Sequence, residues 1–158
     1  MLLQEDLCKI CMEQGVSIAV AESCTSGIIA SKITSISGSS SYFKGGIIAY
    51  QNEIKTKLLG VSEDLINKKT EVSAEVVSQM ANSVRKSFFA DYSVATSGYA
   101  GPTGGTLNNP IGTVFIAITN SIKTEVNRFI FEGSRKSIVN QASEKSLELL
   151  CCAIKKQQ

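Results

Sequence analysis

Apolar residues recur along this chain in two alternating rhythms. Over 3–14 they return at helical spacing, with Leu7 and Ile10 on one side and Gly15 as the stop, so the pattern predicts a helix. Ser17-Ile18-Ala19-Val20-Ala21 follows as a short apolar run with the character of a buried strand. A polar turn from Ser23 to Gly27 opens a second helix carrying Ile28, Ile29, Ile33 and Ile36, and Gly45 to Tyr50 reads as another buried strand. The stretch 51–69 is helical in pattern and broken at Gly60, with Ser62 as an N-cap before Glu63 and Asp64. Ser73 caps the clearest helix, in which Val76, Val77, Met80, Ala81, Val84 and Phe88 form one apolar face.

Tyr92 to Thr96 is a third strand, and after a glycine-rich loop come Ile111 to Thr119 and Glu125 to Phe131, joined by a short turn near Asn120-Ser121 into an antiparallel hairpin. Ser134 caps a final helix whose Ile138, Leu147, Leu150, Cys151 and Ile154 face inward. Helix and strand alternate through the first hundred residues, which demands crossover connections and a mostly parallel sheet; the hairpin adds an antiparallel strand. The expected fold is α/β, a three-layer α/β/α sandwich with a mixed sheet of about five strands. No linker, repeat or low-complexity segment divides the chain, and residues 1–158 are expected to form a single domain.

Composition narrows the function. Hydrophobic residues make up 43% and charged residues 19% of the 158, a globular balance, and the net charge of +2 is spread without a basic run. A nucleic-acid surface is therefore not expected. No apolar run has the length to cross a bilayer, and the N-terminal Met1-Leu2-Leu3-Gln4-Glu5-Asp6 lacks the basic and apolar regions of a signal peptide, so a cytoplasmic protein without membrane partners is expected. The five cysteines are odd in number and are expected as reduced thiols. Cys8-Lys9-Ile10-Cys11 has redox or half-zinc spacing, but it falls inside the first helix with no second pair to complete a site, and it reads as helix packing. No metal and no cofactor are expected.

Ligands of open α/β sheets gather beyond the carboxyl ends of parallel strands, which directs attention to three loops. The first, Ala21-Glu22-Ser23-Cys24-Thr25-Ser26-Gly27, opens a helix, so its free N–H groups would favour an anion or oxyanion; an ordinary helix cap is the alternative. The second is Tyr50-Gln51-Asn52-Glu53-Ile54-Lys55. The third, Ser97 to Thr106, holds four glycines within eight residues, Gly98, Gly101, Gly104 and Gly105, and lacks both Walker and dinucleotide spacing; it is either a ligand loop or a wide surface turn.

The chain contains no histidine, which removes Ser-His-Asp and Cys-His chemistry. A carboxylate, a second hydroxyl or a neutral lysine remains as the base for a nucleophilic serine. A lysine base needs its pKa lowered from ~10.4 to roughly 7 to 8. Lys55, just past a strand end and with Lys57 near enough to add like-charge pressure, is placed for that; a solvated helix lysine is the alternative.

At these loops the sequence resembles the CinA C-terminal domain family, the stand-alone nicotinamide-nucleotide amidases. The resemblance runs through Ala21-Glu22-Ser23-Cys24-Thr25, Gly38-Ser39-Ser40, Tyr50 with Asn52-Glu53 and Lys55, Ser97-Gly98 with Ala100-Gly101-Pro102-Thr103-Gly104-Gly105, and Pro110-Ile111-Gly112-Thr113-Val114. It implies hydrolysis of the carboxamide of nicotinamide mononucleotide to nicotinate mononucleotide and ammonia, in pyridine nucleotide salvage. By the same resemblance Ser23 is the nucleophile, Lys55 the general base and Tyr50 a relay or orienting hydroxyl, without metal, and a homodimer or higher homo-oligomer follows by analogy. The N–H groups of Thr25, Ser26 and Gly27 are candidates for the oxyanion. Asn52, Ser97, Gly98 and the loop residues Gly101, Pro102, Thr103, Gly104 and Gly105 are candidates for substrate contact, and the glycine loop with Arg135 for the ribose phosphate. Three positions depart from the family pattern: Ser26 replaces a usual glycine, Tyr99 a usual aliphatic residue, and Val139 a common second arginine. Two other readings stay open: Cys24 as a thiolate nucleophile acidified at a helix N-terminus, and a nucleotide-binding module without catalysis.

Overall fold

The computed structural model describes residues 1–157. In chain order the elements are α1 (Leu3–Gln14), β1 (Ile18–Glu22), α2 (Ile28–Thr34), a 3-10 turn (Ser39–Ser41), β2 (Phe43–Ile48), α3 (Asn52–Leu59), α4 (Glu63–Lys69), α5 (Ala74–Ser87), β3 (Tyr92–Gly98), β4 (Thr113–Thr119), β5 (Thr124–Ile130) and α6 (Arg135–Lys155). The sheet order is β2-β1-β3-β4-β5. β1 runs parallel to both β2 and β3, whereas β4 is antiparallel to β3 and to β5.

Alternation along the central strands sorts the core into two layers. Ile18 and Val20 of β1, Val94 of β3 and Val114, Ile116 and Ile118 of β4 pack with α1, α2 and α6 through Leu7, Ile29, Ile33, Leu147 and Leu150. The opposite face presents Ala19, Ala21, Ala95, Ala117 and Phe115, and α3, α4 and α5 cover it with Leu59, Ile66, Val76, Val77, Met80 and Val84. Small residues on that face let α5 lie close to the sheet. The result is the expected three-layer α/β/α sandwich on a mixed five-stranded sheet. Ser62, Ser73 and Ser134 each accept a backbone N–H at the start of α4, α5 and α6, as their positions suggested. Cys11 is buried between α1 and α6 in the first core layer, and all five cysteines are free thiols. Among the described residues no helix is long and apolar enough to cross a membrane.

β1, β3 and β5 differ from the expected bounds by one or two residues, α2 ends at Thr34 short of Ile36 and α5 at Ser87 short of Phe88, and two further strand assignments shift. The segment expected as a buried strand over 45–50 begins at Phe43, ends at Ile48 and alternates between half-buried and exposed positions. β2 is an edge strand, so only one of its sides meets a neighbour, and an apolar run cannot by itself reveal that position. The hairpin's first strand starts at Thr113 rather than Ile111, because the Gly112 N–H turns back to the Tyr99 carbonyl at 2.7 Å and closes the preceding loop.

Candidate active site

Ser23 follows directly on β1, and its position is set by the sheet: its N–H donates to the Thr96 carbonyl of β3 at 3.2 Å. Two residues on, Thr25 is fully buried and its hydroxyl shares a 2.8 Å hydrogen bond with that of Thr96. Ser23 itself is nearly buried, yet its Oγ makes no hydrogen bond among the described residues and faces a cavity. A hydroxyl free of internal partners is one available for a substrate.

The helix end behind it is not free to take an anion. Glu22, completely buried at the end of β1, accepts the N–H of Ile29 at 2.9 Å and of Ala30 at 3.1 Å, so the chain's own carboxylate satisfies the start of α2. The expectation that an oxyanion would settle on that helix end is corrected accordingly. The Ser26 N–H is also engaged, donating to the Ser23 carbonyl at 3.1 Å, and leaves the set expected for the oxyanion. The N–H groups of Cys24, Thr25 and Gly27 donate to no carbonyl of the surrounding loops, and that of Cys24 has its own thiol as its neighbour. Of these residues only Cys24 lines the cavity. Ser26 adopts a left-handed φ of 49°, a conformation that favours glycine, and its side chain is exposed away from the cavity lining.

Lys55 lies in the first turns of α3 and is 1% exposed, not the solvated helix lysine that spacing alone allows. Its Nζ donates to the Tyr50 carbonyl at 3.2 Å. Burial pushes its pKa below the ordinary value, while the negative charge of Glu71 pushes the other way. Lys57 plays no part in this: its amine pairs with Glu53 on the exposed side of α3, so the like-charge pressure expected from it is absent. No hydrogen bond joins Lys55 Nζ to Ser23 Oγ among the described residues, although both groups line one cavity.

That cavity, about 390 Å³, gathers most of the expected residues. Ser23, Tyr50, Asn52 and Lys55 line it from the first two loops, and Ser97, Gly98, Gly101 and Thr103 from the third, with Arg135 from the start of α6. Thr25, Ser26, Gly27, Pro102, Gly104 and Gly105 do not line it. Gly105 is required by loop packing: a Cβ there would lie 2.9 Å from the Ile111 backbone nitrogen. Ser97 donates through Oγ to the Glu71 carbonyl at 2.6 Å, tying the end of β3 to the turn before α5. Arg135 joins two loops, donating to the Gly101 carbonyl at 2.6 Å and to the Tyr50 hydroxyl at 2.8 Å. Val139 is buried in the core behind α6 and contributes nothing to the cavity lining.

Cys24 and Glu71 also line the space. Burial pushes the Cys24 thiol up to about 12, so it stays protonated at neutral pH and the acidified thiolate expected at a helix N-terminus does not form. Glu71 was missed by the sequence reading, since nothing in Thr70-Glu71-Val72 forms a motif and only the fold brings that turn to the cavity.

Residues 2–154 match the description of the CinA C-terminal domain. A CinA-like protein of Flavobacterium psychrophilum is 43% identical over 148 residues, which is 94% of this chain and 35% of that protein. One from Desulfotalea psychrophila is 45% identical over 139 residues, 88% of this chain and 34% of that protein. The chain thus spans about a third of the length of the curated relatives it matches. Among solved structures, the competence damage-inducible protein A of Klebsiella pneumoniae superposes with a TM-score of 0.95 at 28% identity, covering 99% of this chain and 97% of that one. The competence or damage-inducible protein of Enterobacter asburiae gives 0.92 at 32% identity, with 96% of each chain covered.

Proposed function

The chain belongs to the CinA C-terminal domain family, and on that premise we propose that it hydrolyses the carboxamide of nicotinamide mononucleotide to nicotinate mononucleotide and ammonia. The observation that carries this reading is a buried lysine amine, held by one backbone carbonyl, sharing a cavity with a serine hydroxyl that has no internal partner.

In this reading a neutral Lys55 removes the proton from Ser23 Oγ as the oxygen bonds to the amide carbon. The negative charge on the former carbonyl oxygen is held by the Cys24 N–H, the amide next to the nucleophile, a donor of a kind often worth ~3 kcal/mol. The Lys55 ammonium then protonates the departing nitrogen, the C–N bond breaks and ammonia leaves. Water, deprotonated by the same amine, releases nicotinate mononucleotide from Ser23. Arg135 and the glycine loop take the ribose phosphate, and the Tyr50 hydroxyl orients Arg135. The Tyr50 carbonyl, rather than its hydroxyl, positions the base. Pyridine nucleotide salvage in the cytoplasm is the setting that this chemistry suits.

A protonated Cys24 cannot compete as nucleophile, so Cys24→Ala should keep ammonia release within a factor of about three of the parent chain. Measured beside Ser23→Ala, the opposite ranking would transfer the nucleophile to the thiol. The lack of a Ser23–Lys55 hydrogen bond favours a second reading, a nucleotide-binding module without turnover. Binding of nicotinamide mononucleotide with no ammonia release, at enzyme concentrations high enough to catch a single turnover, would select it.

A further inference from the structure

Glu71 sits in the turn between α4 and α5, and that turn is tied both to the end of β3 and to the loop after it. The Glu71 carbonyl accepts from Ser97 Oγ at 2.6 Å, and the next carbonyl, of Val72, accepts from Asn109 Nδ2 at 3.3 Å. The side chain lines the cavity, and its carboxylate makes no hydrogen bond or ion pair among the described residues. Lys55, the one buried amine of the cavity, is held by a backbone carbonyl instead.

This placement works against the base. A carboxylate beside Lys55 favours the ammonium form, and its charge indeed raises the lysine's pKa against the larger effect of burial. It raises the pKa of Tyr99 as well, which places both side chains in its field. For a site that needs a neutral amine, an unpaired carboxylate is a cost with no internal return, so its partner is sought on the ligand. Tyr99 lines the same cavity, and an aromatic ring with an anionic group is the combination that holds quaternary nitrogen cations. Arg135, also in the lining, supplies the opposite charge. A ligand with a cationic ring and an anionic tail matches that distribution.

We propose that Glu71, together with the ring of Tyr99, is the counter-charge for a quaternary pyridinium, so that this site selects N-substituted pyridinium carboxamides over neutral pyridine carboxamides. The inference rests on the amidase reading for the orientation of the ligand and specifies its charge class.

The test compares two probes that differ by one methyl group and one charge, the N-methylnicotinamide cation and neutral nicotinamide. Dissociation constants are measured by calorimetry on the full chain and on Glu71→Gln, with thermal unfolding as the check on folding. The parent chain should prefer the cation roughly tenfold, a size typical of such contacts in a partly desolvated site. Glu71→Gln should bring the ratio to about one, chiefly by weakening the cation. Equal affinities in the parent chain, no binding of the cation at millimolar concentration, or an equal loss of both probes in the variant would each overturn the inference. An unchanged ratio in the variant would also overturn it, since Glu71 would then act only on Lys55. Because binding is read without turnover, a cation preference with no ammonia release sinks the amidase reading alone, and ammonia release with no preference sinks this one alone.

Discussion

Ser23→Ala should lower ammonia release from nicotinamide mononucleotide by a factor of ~10³ or more while leaving the substrate's dissociation constant nearly unchanged. The hydroxyl makes no internal hydrogen bond, so removing it breaks no part of the fold; the backbone that positions it is anchored independently through the Ser23 N–H and the Thr25–Thr96 hydroxyl pair. Thermal stability should therefore stay close to that of the parent chain. Steady-state ammonia release, ligand calorimetry and a melting curve together separate loss of the nucleophile from loss of structure. A variant that keeps substantial turnover would remove Ser23 from the chemistry, and one that melts far below the parent would make the serine a packing residue.

Lys55→Met should abolish activity without harming the fold. A positioned base contributes ~10² to 10⁴ in rate, and methionine keeps the length and volume of the side chain without an amine. At 1% exposure the parent amine carries a desolvation cost. Relief from such a site commonly returns about 0.5–2 kcal/mol, offset here by the donor that the Tyr50 carbonyl loses, so the variant should be at least as stable at pH 7. The pH dependence fixes the sign. Burial lowers the folded-state pKa below the ordinary 10.5, so between those two values the unfolded chain binds more protons. Lys55 therefore destabilises the folded chain fully below its folded-state pKa, and the penalty fades as pH rises towards 10.5. Denaturant melts of the parent chain across that range should show a rise in stability that Lys55→Met lacks. A variant markedly less stable than its parent at every pH would show that the amine holds the fold together.

The architecture was legible because each element has a local cause. Apolar spacing in α5, three serine caps and the continuous β-branched and aromatic run of β4 each specify their structure within a dozen residues. The three cavity loops were legible for the same reason, being the ends of those strands. What escaped depends on partners distant in sequence. The edge position of β2 follows from which strand pairs with β1, and an apolar run is silent on that. Glu22 looked like one more loop residue, although a carboxylate closing the run Ile18-Ala19-Val20-Ala21 is a cue that buried donors must await it, and Ile29 and Ala30 provide them. Lys57 is close to Lys55 in sequence, but its i,i+4 pairing with Glu53 turns its amine to the exposed side of α3. Glu71 is recruited by Ser97 across the sheet end, a contact that 26 residues of separation conceal.

The account turns on an amine at position 55 that is uncharged when it meets the Ser23 hydroxyl, and the pH profile of kcat/KM for ammonia release from nicotinamide mononucleotide tests that most directly. The rate should climb on its acid side through a single ionisation lying clearly below 10.5, the free enzyme's Lys55, and level off above it. No ammonia at any pH, or a rate that climbs only as an ordinary solvated lysine loses its proton, would contradict it.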